Sequence, residues 1–130
     1  MKHRRALQRW HAEAGPILRA LMTAEDMLIS GSEGPALVVE ALCDQLLAAV
    51  AHAQSWLGNH RCPDAKLGVY VTELVSASRG MWAIMQMIAR EAPRGEWFAD
   101  RDLVEKVGTN LADRIEQATR ARMYIRQWSA

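Results

Sequence analysis

Along most of this chain apolar side chains recur at alternating spacings of three and four, the period of a helix with one buried face. The stretch 67–89 shows it best: Leu67, Val71, Leu74, Ser78, Met81, Met85 and Ile88 share one face. In its second half, MWAIMQMIA, only Gln86 is polar, so apolar groups point nearly all the way round. A helix of that kind is buried on more than one side. The run of nine residues is too short to span a bilayer, which takes about 20. Three other helices must surround it, or a second copy or partner must cover what they leave.

Three further segments carry the same period. Leu7, Trp10, Ala14, Ile17, Leu21, Ala24 and Leu28 predict a first helix over about 3–29. Pro16 lies inside that stripe, where it removes a backbone bond and crowds the preceding turn. The stripe keeps its phase on both sides, so the expectation is one kinked helix, not two. Residues 30–34, SGSEG, end it. A second helix opens at Pro35 and runs to Leu57 on Val39, Leu42, Leu46, Ala49, Ala53 and Trp56, widened by Cys43, Leu47, Val50 and Leu57. Gly58 suits a left-handed C-terminal stop. After a loop at 59–62, Pro63 or Asp64 starts the third helix, and APRG at 92–95 closes it. Trp97 and Phe98 lie at or before the fourth helix, which Asp100 or Asp102 can cap and which runs to about Gln127. Its inward positions are Val104, Val107, Leu111, Ala118, Ile125 and Trp128. Arg114 falls among them and is read as a flank residue whose stem packs while its head reaches water.

Four amphipathic helices with short links predict an all-α, up-down-up-down four-helix bundle, with breaks near 30–34, 58–63 and 92–99. Composition agrees. The 130 residues fit one domain, 1–130, with 50% hydrophobic and 24% charged residues. The basic N-terminus lacks the apolar core of a secretory signal, and no run is expected to reach transmembrane length. The expected compartment is therefore the cytoplasm, where Cys43 and Cys62 stay reduced. They are also expected too far apart along helix two to bridge.

Candidate chemistry is sparse. His3, His11, His52 and His60 form no HExxH, and there is no Glu-x-x-His or CxxC. His60, Cys62 and Asp64 cluster in one loop, a pattern that is more often helix-start chemistry than a metal site. Cys43 lies on an apolar flank, whereas Cys62 sits in a basic loop that could lower its pKa. No base is paired with a nucleophile, so no catalytic residue, metal ligand or cofactor is assigned.

The tripeptide Trp56-Leu57-Gly58 resembles the WxG turn of the WXG100 proteins, small helical substrates of type VII secretion. That family also has a Tyr followed four residues later by an acid, whereas Tyr70 is followed by Leu74 and Tyr124 by Trp128. A core tryptophan before a capping glycine accounts for the same three residues. The chain also resembles small uncharacterised all-helical proteins of actinobacteria. The features are its Ala/Arg/Trp-rich style, Cys43 midway along helix two, and Cys62-Pro63-Asp64 with Leu67 three residues on. That resemblance implies a helical fold and carries no activity.

Charge is the uneven feature. An up-down bundle gathers 1–16, 54–70 and 114–130 at one end, with ten bases and three acids, or +7; the rest has six bases and twelve acids, or −6, restoring the net +1. Helix one contributes against its own dipole, with Lys2, Arg4 and Arg5 at its positive end and Glu25 and Asp26 at its negative end. Arg4, Arg5, Arg9, Arg61, Arg120, Arg122 and Arg126 are the candidate binding residues. Such an end suits an acidic protein surface, nucleic acid or an anionic membrane surface. Trp82, Ile84 and Met87 on helix three are the candidate interface of a homodimer. The sequence thus points to a non-enzymatic helical interaction protein. The other class is a small enzyme or ligand-binding bundle whose inter-helix pocket holds an anion.

Overall fold

The computed structural model describes residues 2–91 and 101–129, all-α in four helices: α1 Lys2–Ser30, α2 Ala36–Asn59, α3 Ala65–Glu91 and α4 Arg101–Ser129. The expected break at 92–99, Trp97, Phe98 and the Asp100 cap lie outside the described residues. α1 runs unbroken through Pro16.

Helix ends follow local chemistry. Gly31 closes α1, its N–H bonding Met27 O at 3.0 Å. A Cβ at Gly31 would meet Leu42 Cδ1, so the Leu42 side chain would have to shift for any larger residue at this corner. Pro35 precedes α2, and its carbonyl accepts from Val38 and Val39. Asp64 caps α3: its Oδ1 accepts from Leu67 N at 2.8 Å. Gly58 does not act as the left-handed stop expected of it, since α2 continues through it to Asn59. Side chains serve the end instead, with Asn59 Nδ2 on Ser55 O and the His60 ring on Trp56 O. The Trp56-Leu57-Gly58 tripeptide therefore lies within helix, not in a turn.

The core follows the stripes. Each of Leu67, Val71, Leu74, Ser78, Met81, Met85 and Ile88 is buried. α3 is the central helix, packing against α2 and α4 and, to a lesser degree, α1. α1 also packs on α2, but α1 and α4 hardly approach each other along their backbones. Trp10, near the start of α1, meets Trp56 near the end of α2, and Tyr70 near the start of α3 stacks on Tyr124 near the end of α4. α1 thus runs antiparallel to α2, and α3 to α4.

α2 corrects one expectation. Its 24 residues are long and apolar enough to cross a bilayer by length and composition, with a mean hydropathy of 1.5 over an 18-residue stretch. In the fold it sends Val39, Cys43, Leu46, Val50 and Ala53 inward, while Leu37, Val38 and Leu47 stay exposed.

Candidate functional site

The bundle end that gathers the bases is built around aromatic rings. Trp10 Nε1 donates to His60 O at 2.8 Å, tying the start of α1 to the end of α2. Trp56 stacks on His60 at 4.5 Å. Tyr70 and Tyr124 stack at 4.0 Å, with Lys66 Nζ 5.5 Å from the Tyr124 ring. These contacts bring the N-terminal part of α1, the α2–α3 link and the C-terminal part of α4 together.

Six of the seven candidate arginines, Arg4, Arg5, Arg9, Arg61, Arg120 and Arg126, are exposed. Among the described residues, none of the six meets a carboxylate within ion-pair distance. Arg122 departs from the expectation. It is half-buried and turns toward α1, bonding Glu25, Asp26 Oδ1 at 3.0 Å and Met22 O at 3.1 Å. Glu25 is 0% exposed and takes a second hydrogen bond from Ser78 on α3. Burial pushes the Glu25 carboxyl above its ordinary pKa, against the opposing effects of Ser78 and Arg122. The Arg122 pKa is also raised: burial would lower it, but the hydrogen bonds and charges of Glu25 and Asp26 outweigh that. The acids at the C-terminal end of α1, set against its dipole, thus find their counter-charge on α4.

The α1–α4 gap leaves a cleft of about 570 Å³ lined by Arg4, Leu7, Gln8, His11, Tyr124, Gln127 and Trp128. This lining holds a cation and no carboxylate. Burial lowers the His11 pKa, which favours the neutral imidazole, and among the described residues the buried His11 Nε2 has no hydrogen-bond partner. A second cleft, of about 540 Å³, runs along α3 past Arg61, Cys62, Thr72 and Ser76, but Asp64 and Glu73 mix its charge.

The thiols are free. Burial raises the Cys43 thiol to about 11. Cys62 is also raised by burial, contrary to the lowering expected from its basic loop, and the Asp64 charge adds to the effect. Neither is a ready nucleophile at neutral pH. Among the described residues no group of three His, Cys, Asp or Glu is placed to hold a metal. His60 and Asp64 are engaged in ending and starting helices.

The candidate interface on α3 is partly exposed. Trp82 and Ile84 are partly buried against the core, and Met87 is exposed. Trp82 and Met87 line a cleft of about 280 Å³ with Ala83, Gln86 and Arg90. Trp82 Nε1 is buried with no partner among the described residues.

No protein-family model, curated protein or solved structure matches the chain.

Proposed function

We propose that this is a non-enzymatic helical interaction protein whose basic end binds an acidic or otherwise anionic partner. The observation that carries the reading is the set Arg4, Arg5, Arg9, Arg61, Arg120 and Arg126. All are exposed around one aromatic-lined end, with no carboxylate partner among the described residues. Unpaired surface cations raise the local potential and steer an anionic surface on approach. Aromatic rings beside them supply rigid contact area at small entropic cost.

The test is fluorescence anisotropy with a fluorescein-labelled oligo-glutamate peptide across a salt series. Wild type is expected to bind more weakly as salt rises, because exposed charges are screened beyond about 8–10 Å near physiological salt. Arg5→Glu/Arg9→Glu and Arg120→Glu/Arg126→Glu should each weaken binding about tenfold or more, since like charges facing each other cost several kcal/mol. Lys106→Glu, on the part of α4 away from this end, should change little. Equal affinity in all four proteins would defeat the reading.

A further inference from the structure

We infer that the cleft between α1 and α4 is a binding site for a small aromatic carboxylate. The inference rests on the anion-binding reading of this end and narrows it to one subsite and one ligand chemistry. The cleft lies between α1 and α4, whose backbones hardly approach each other. Its volume, about 570 Å³, falls within the range of roughly 300–1,000 Å³ usual for small-molecule pockets.

The lining sets the class of ligand. Arg4 supplies positive charge, no carboxylate in the lining opposes it, and His11 is held toward its neutral form. A single charge therefore suits a monoanion. A guanidinium presents a planar fork that matches a carboxylate with two parallel bonds. Gln8 and Gln127 add amides from the two facing helices, and neither side chain is engaged in a hydrogen bond among the described residues. Tyr124 already stacks on Tyr70, and Trp128, partly buried against the core, supplies the indole in the lining. Leu7 contributes apolar surface. A charged fork, two amides and an indole wall together fit a flat ring bearing one carboxylate.

The probe is 2-naphthoate, with neutral 2-naphthamide as its control, followed by calorimetry and by amide and indole resonances. Naphthoate should saturate one site and move the Trp128 indole N–H and the side-chain amides of Gln8 and Gln127. Naphthamide should bind about tenfold more weakly or worse, having lost the charge-assisted pair. Arg4→Gln should cost naphthoate about tenfold, with partial recovery in Arg4→Lys, which keeps charge but not the fork. Arg4 is exposed, so these variants should keep wild-type helicity. Three results overturn the inference: no saturation by about 10 mM, shifts that lie elsewhere, or equal affinity in wild type and Arg4→Gln. The oligo-glutamate peptide is run in parallel. If the peptide binds and naphthoate does not, the basic end stands and the cleft fails. If naphthoate binds at the cleft and the peptide does not, the cleft stands and the macromolecular partner fails. If neither binds, both fall.

Discussion

Glu25, Ser78 and Arg122 form a charged group inside an otherwise apolar interior, and each comes from a different helix. The sequence carries the signal, because each is in phase with its helix's apolar stripe. Glu25 lies between Leu21 and Leu28, Ser78 between Leu74 and Met81, and Arg122 between Ala118 and Ile125. Phase alone picks out Arg114 equally well, yet Arg114 is exposed and lays its stem across Gly80. Which arginine turns inward depends on where α4 crosses α1, and one helix's period does not contain that. Removing one partner of a buried pair leaves the other uncompensated, so Arg122→Met should cost about 3 kcal/mol at neutral pH in urea unfolding. Glu25→Leu/Arg122→Met should recover most of it. A double variant as unstable as the single would refute this account. The pH dependence has a definite sign. Burial raises Glu25 above the ordinary 4.5, so the folded chain holds that proton more tightly than the unfolded chain. The contribution is fully present below the unfolded pKa and is lost as pH rises through the folded one. The stability of wild type relative to Glu25→Gln should therefore fall as pH rises from below the ordinary 4.5 to above it. A difference that grows with pH would mean Arg122 outweighs burial.

At the scale of single helices the pattern is largely legible. The three-four stripes place α1, α2 and α3 within a few residues of their observed ends, and Asp64 is among the residues expected to start α3. The end of α2 escapes this reasoning, because a glycine near a helix end does not by itself say that the chain turns left-handed there. Asn59 and His60 reach back to carbonyls of the last turns, and Trp10 holds the His60 carbonyl from 50 residues away. The Cys62 environment differs from expectation for a related reason: neighbours in sequence suggest positive charge, whereas burial and packing against Gly68 dominate. Two substitutions test the local accounts by thermal or urea unfolding. Asp64→Ala removes the side-chain acceptor for Leu67 N and should cost about 1 kcal/mol. Gly108 lies within α4, and a Cβ there would meet nothing within 4 Å among the described residues. Gly108→Ala should therefore stabilise by about 1 kcal/mol through helix propensity. A loss of stability in Gly108→Ala would mean that position carries a contact that propensity does not describe.

At the scale of the whole molecule the helices are unequal, and that inequality predicts where the fold opens. α3 touches all three of its neighbours and buries Leu67, Val71, Leu74, Val75, Met81, Met85 and Ile88. Among the described residues, the buried apolar side chains of α4 are Val107, Ala118, Ala121 and Ile125. Arg122 ties it to α1 through Glu25, Asp26 and the Met22 carbonyl, across a seam where the backbones hardly approach. Nothing in the periodicity announces that gap, because four similar stripes suggest four equivalent seams. Helix orientation and the gathering of bases at one end follow from connection lengths, but connection lengths do not say which seam is the looser one. Local stability tracks buried apolar contact, so native-state hydrogen exchange should rank the helices. Amides in the middle of α3 should exchange only through global unfolding. α4, with fewer buried apolar side chains, should exchange earlier, through an opening that leaves α2 and α3 folded. Arg122→Met should accelerate exchange near Ala118–Ile125 more than its global destabilisation requires, with α3 following only the global change. Uniform acceleration across all four helices would show that α4 has no separate opening, and that Arg122 supports the bundle as one cooperative unit.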